Sequence, residues 1–124
     1  MGNTKNIDNN YCAVAPYFKI HSGKIDEFKG VCQGLVEKVK SEPNCLYYAF
    51  SFHDDEVHCR EAFADAAAFL YHLDNVAELL DQALTIADLV KIEVHATVET
   101  IEELRPVLAK FHPKYFTFEG GILR

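Results

Sequence analysis

The sequence predicts an α+β domain, a four-stranded antiparallel sheet with helices packed on one face. Two observations carry this. Alternating and helical apolar patterns follow one another in the order strand, helix, strand, strand, helix, strand. Two of the alternating segments, residues 45–53 and 56–63, are separated by Asp54-Asp55 alone, which reads as a hairpin turn.

Tyr11 to Lys19 reads as the first strand, in which Pro16 calls for an edge or a bulge because proline cannot donate to a ladder. After the turn His21-Ser22-Gly23-Lys24, a stripe of Ile25, Phe28, Cys32, Leu35 and Val39 marks the first helix, and Pro43 stops it. In the hairpin, Leu46, Tyr48, Phe50 and Phe52 share one face. With Asp54 and Asp55 as the turn, Phe52 opposes Val57, Phe50 opposes Cys59, Tyr48 opposes Glu61 and Leu46 opposes Phe63. Both apolar sets then fall on one side, as a half-buried hairpin requires.

Ala64 to Leu73 predicts the second helix with Asp65 as its cap, interrupted at Asp74-Asn75 and resumed from Val76 to Leu84. Asp88 opens a strand with Val90, Ile92, Val94 and Ala96 on one face and Lys91, Glu93 and His95 on the other. Thr100-Ile101-Glu102-Glu103 has the form of a capping box ahead of Leu104, Leu108 and Phe111, with Pro106 predicting a kink or two short turns. Tyr115 to Glu119 predicts a last short strand. This order is the ferredoxin-like, split βαβ plan. Helices cover one face only, so a second sheet is the expected cover for the mixed face that carries Tyr47, His53, His58 and Arg60.

Composition narrows the partners. With 124 residues and 49% hydrophobic content, one core is expected, formed by residues 11–124 after a flexible segment, residues 1–10. A net charge of −7 speaks against nucleic acid and against an anionic membrane surface. No apolar run reaches the ~20 residues of a bilayer span. The polar start Met1 to Asn6 lacks a signal-peptide core, and Cys12, Cys32, Cys45 and Cys59 form no Cys-x-x-Cys pair. Buried free thiols and a cytoplasmic, reducing location are the expectation.

Four segments resemble the antibiotic biosynthesis monooxygenase family of dimeric α/β barrels. They are Ser22-Gly23-Lys24, Glu42-Pro43-Asn44-Cys45-Leu46-Tyr47-Tyr48, Arg60-Glu61-Ala62-Phe63 and the run from Ala64 to His72. The likeness spans roughly residues 11–97, which leaves a C-terminal extension from about residue 98. It implies a homodimer joined through sheet faces, and a cofactor-independent monooxygenase acting on a small aromatic or quinol. The alternative is a non-catalytic dimer of the same fold that binds or senses a small ligand. The family also contains haem-degrading members built on Asn, Trp and His. This chain has no Trp and no Asn in its first strand, so it departs from them.

Candidate site residues follow from register and from that resemblance. Glu61 falls on the apolar face opposite Tyr48, where a carboxyl must be neutralised, paired or hydrogen-bonded. The resemblance singles out His72, on the second helix facing the sheet, as a proton acceptor. His72 and Glu61 are the expected catalytic groups, with Tyr48, Phe50, Phe63 and Phe69 around a small apolar or aromatic molecule. The structural alternatives are a core-edge His72 bonded to a backbone carbonyl, and a Glu61 bonded to Tyr48 or a helix N-terminus. His53 and His58, with Glu56, lack metal-ligand spacing, so no metal is expected. No nucleophile elbow, phosphate loop or redox-cofactor motif is present, so no cofactor is expected either.

Overall fold

The computed structural model describes residues 5–6 and 10–123. The expected flexible segment, residues 1–10, therefore lies mostly outside the described residues. Its described pair, Lys5–Asn6, runs antiparallel to Ile122–Leu123.

The main elements are β1 (Cys12–Ile20), α1 (Ile25–Val39), β2 (Cys45–His53), β3 (Glu56–Phe63), α2 (Ala66–Asn75), α3 (Ala77–Ile86), β4 (Ala87–Ala96), α4 (Val98–Leu108) and β5 (Lys114–Thr117). The sheet is open and ordered β2-β3-β1-β4-β5. The first four strands pair antiparallel in the ferredoxin-like arrangement. The C-terminal segment adds β5 parallel to β4, so the sheet has five strands where four were expected.

The hairpin register holds at Phe52↔Val57, Phe50↔Cys59 and Tyr48↔Glu61, with Asp54 in the left-handed region at φ 52°. It then shifts. Cys45, not Leu46, faces Phe63, because a bulge between Cys45 and Tyr47 inserts one unpaired residue. Leu46 is that residue, and it is exposed rather than buried. A second irregularity lies between Tyr17 and Phe18 against β4, where Val90 is the extra residue. Val90 accordingly points to solvent, contrary to the strict alternation expected of it.

Pro16 sits in a central strand, not at an edge. The β1–β3 ladder pairs Val14 with Glu61 and next Tyr17 with His58, so it is interrupted over residues 15–16 without a change of register. The missing proline donor accounts for the gap.

Gly23, at φ +79°, makes the left-handed turn into α1 that a side chain would strain. Asp65 caps α2 as expected, its carboxylate accepting from the backbone N–H of Ala68 at 2.8 Å. The cap of α4 is Thr97 instead of Thr100: its hydroxyl accepts from the N–H of Thr100 at 3.2 Å. Pro106 is carried within α4, and a 3₁₀ turn, Ala109–Phe111, follows.

All four helices pack on one sheet face and divide the core in two. Phe18, Phe28, Leu35, Val57 and Val76 gather under α1 and α3. Val14, Phe63, Phe69, Val94 and Leu104 gather under α2 and α4. Each fully buried Phe contributes on the order of 2–3 kcal/mol through the apolar surface it removes from water. Among the described residues, no helix is long and apolar enough to cross a membrane.

Candidate active site

The two halves of the core meet at a cavity of about 70 Å³. Its walls are apolar side chains from the sheet and from α1, α2, α3 and α4, interrupted by Tyr48, Glu61 and His72. Leu84 of α3 is its exposed wall residue, and Phe111 in the lining is half-buried. A dry cavity of ~150 Å³ accepts a benzene. A ring-sized substrate therefore requires lining side chains to move.

His72 is 3% exposed and is held on four sides. Its ring centroid lies 5.2 Å from Tyr48 and 5.0 Å from Phe63, with Phe69 at 6.3 Å. On the side away from the cavity, Nδ1 stands 3.0 and 3.1 Å from the two oxygens of Glu42. The amide of Asn75 donates to the same carboxylate at 2.9 Å and to the carbonyl of Lys38 at 3.1 Å. Nδ1 is thus the protonated nitrogen of a neutral imidazole, and Nε2 presents its lone pair. Burial lowers the affinity of the ring for a second proton, and Glu42 works in the opposite direction.

Nε2 faces Glu61. Oε1 of Glu61 is 3.5 Å away, too long for a good hydrogen bond, and it has no hydrogen-bond partner among the described residues. Burial pushes the Glu61 carboxyl up to about 8; the thiol of Cys59 lowers it, and Glu42 raises it. At neutral pH Glu61 is a carboxylic acid. Burial, with Glu61 next in importance, also raises Tyr48 and Cys59, so both remain neutral. A buried acid and an imidazole lone pair thus stand 3.5 Å apart without a hydrogen bond between them.

The structure brings Tyr48, Phe50, Glu61, Phe69 and His72 to the lining of one cavity. Phe63 stands behind them: it is fully buried and packs on His72 and Phe69 without reaching the cavity. His72 bonds a carboxylate where a backbone carbonyl was the structural alternative. Neither alternative partner of Glu61 reaches its Oε1. Glu42 was missed as a site residue. It lies in the loop after α1, outside any periodic pattern, and the signal that points to it is the need of a buried histidine for a second-side partner. His53 and His58 stay apart from the cavity, and no group of three or more potential ligands is assembled among the described residues. The thiols are free, with Cys12, Cys32 and Cys59 buried and Cys45 half-buried.

A ferredoxin-like sheet with its helices on one face, and polar side chains set in an apolar cavity beneath them, defines a class of small α+β proteins. Within that class, this chain belongs to the antibiotic biosynthesis monooxygenase family, whose profile matches residues 12–79. It is similar to MupZ from Pseudomonas fluorescens, with 41% identity over 94% of this chain and 96% of that one and a TM-score of 0.88. A putative antibiotic biosynthesis monooxygenase from Caulobacter crescentus shares the fold at 23% identity, covering 71% of this chain and 90% of that one with a TM-score of 0.64. A conserved protein from Methanosarcina mazei does so at 18% identity, covering 72% and 94% with a TM-score of 0.65. No protein of curated function matches the sequence at a significant level.

Proposed function

We propose that this protein is a cofactor-independent enzyme of its family in which His72 and Glu61 exchange protons with a small, largely apolar substrate, most simply a phenol or quinol oxidised by molecular oxygen. One observation carries the proposal: Oε1 of Glu61 is buried and unpartnered beside the Nε2 lone pair of His72, at the wall of an apolar cavity. An uncompensated buried polar atom costs about 1–3 kcal/mol. A hydroxyl reaching both groups from the cavity side would accept from Glu61 and donate to His72, which removes that cost.

In such a reaction Nε2 takes the phenolic proton, and the electron-rich phenolate reacts with oxygen. The substrate supplies the electrons; one oxygen atom enters the product and the other leaves as water, with Glu61 delivering a proton to the reduced oxygen. Tyr48, Phe50 and Phe69 flank the ring, and Phe63 holds His72 in place. Exclusion of water by the apolar walls keeps the anion reactive.

A second reading has its own support. Glu61 is an acid at neutral pH, so the pair supplies a donor and an acceptor without any need for oxygen. Isomerisation, addition or ring opening of a polarised apolar substrate uses the same two groups. The family's usual assembly is a homodimer, and the open sheet face bearing Tyr17, Tyr47, His58 and Arg60 is the surface proposed for it.

Oxygen consumption with a panel of small quinols and phenols tests the first reading. His72→Ala and Glu61→Gln should each lower the rate by roughly 10²–10⁴-fold. Full rates in both variants contradict the assignment. Turnover that persists without oxygen moves the conclusion to the second reading.

A further inference from the structure

Glu42 borders a second space. It lines an outer cleft of about 340 Å³ with Pro43, Asn44, Cys45, Asp65, Ala68 and Tyr71, on the opposite side of His72 from the cavity. The Glu42 side chain is 3% exposed, so it forms the barely wetted floor of that cleft. One buried imidazole therefore bonds through Nδ1 to a carboxylate reached from outside and faces through Nε2 a carboxyl of the inner cavity.

We infer that Glu42 is a positioning residue that also relays protons, so that His72 equilibrates with solvent through the outer cleft rather than through the substrate cavity. The inference deepens the acid–base reading of His72 and Glu61 and rests on it. When Nε2 takes a proton from the cavity side, the ring passes its Nδ1 proton to Glu42, and Glu42 releases one to water in the cleft. One proton enters the ring, one leaves it, and no electrons move. When Nε2 later returns its proton to a product, the same path runs backward and restores the Nδ1–H form. The arrangement lets the inner cavity stay dry while its base is reset.

The groups facing His72 are few. Glu42 approaches from the loop after α1, Glu61 from β3 and Tyr48 from β2; Asn75 braces Glu42 from α2, and Cys59 of β3 acts on Glu61. Among them Glu42 alone borders the outer cleft.

The test uses the resting protein with ¹⁵N-labelled histidine, so it needs no substrate and stands apart from any oxygen-uptake result. In the wild-type protein, His72 should be the Nδ1–H tautomer. Glu42→Gln, which keeps a hydrogen-bonding group but cannot pass a proton, should slow solvent exchange of the ring proton by about tenfold or more. In Glu42→Ala, added formate should restore fast exchange. Ala68→Trp, which narrows the outer cleft, should block that rescue, and Leu84→Trp at the inner cavity should leave it intact. An Nε2–H tautomer in the wild type, unchanged exchange in Glu42→Gln, or rescue blocked by Leu84→Trp but not by Ala68→Trp would overturn the inference.

Discussion

Oε2 of Glu42 lies 3.0 Å from Nδ1 of His72, although 30 residues separate them in the chain. The contact joins the loop behind α1 to the last turn of α2 and fixes which nitrogen of the imidazole looks into the cavity. Both partners are 3% exposed, so neither can be removed without leaving the other stranded.

His72→Leu should therefore destabilise the fold by about 3–5 kcal/mol, because it strands a buried carboxylate with Asn75 as its remaining donor. Glu42→Gln should cost less, about 1–2 kcal/mol, since an amide oxygen still accepts from Nδ1. Urea unfolding of His72→Leu, of Glu42→Leu and of the His72→Leu/Glu42→Leu double variant measures the coupling, and the double variant should be more stable than the sum of the two single losses implies.

The pH dependence of stability has a defined sign. Glu61 has a folded value of about 8 against an ordinary value of 4.5, so the folded state holds a proton that the unfolded chain releases as pH rises through that window. Stability should fall from pH 4.5 to pH 8, by up to about 5 kcal/mol. The lowered His72 acts oppositely but only below its ordinary value of 6.5, where the unfolded chain binds the extra proton. Between pH 6.5 and 8 Glu61 therefore acts alone. Glu61→Gln should flatten the unfolding midpoint across that interval.

Helix caps give a local check. Asp65→Ala should cost about 1 kcal/mol, as should Thr97→Ala. Glu103→Ala should have little effect on α4, because Thr97 holds the cap by accepting from Thr100. Thermal unfolding of the three variants distinguishes the two cap positions.

The proposed dimer is tested on the face opposite the helices. Ala49 is exposed there on β2, beside Tyr47 and Ser51. Ala49→Arg should convert the dimer to monomer in sedimentation analysis while leaving the circular dichroism spectrum unchanged. A wild-type monomer at micromolar concentration would contradict the sheet-to-sheet assembly.

Much of this architecture was legible in the residues because strand and helix periods differ. The 2.0-residue alternation on both sides of Asp54-Asp55 set the pairing of Tyr48 with Glu61, and that pairing alone placed a carboxyl on the apolar face. The bulges at Leu46 and near Val90 escaped, since inserting one residue leaves the composition of a strand unaltered. Thr97 escaped as a cap because Thr100 and Glu103 mimic a capping box one turn later. Glu42 escaped for a different reason: its role depends on a partner far along the chain, and no local period points across that distance. The fifth strand pairs parallel to β4, a neighbour that a short aromatic segment cannot specify by itself.

Infrared or ¹³C carboxyl spectroscopy across a pH titration addresses the core of the account, with Glu61→Gln identifying the signal. A protonated Glu61 carboxyl should persist at pH 7 and ionise near pH 8. Ionisation at the ordinary value of 4.5 would mean that no buried acid faces His72, and the proton chemistry assigned to this cavity would have no donor.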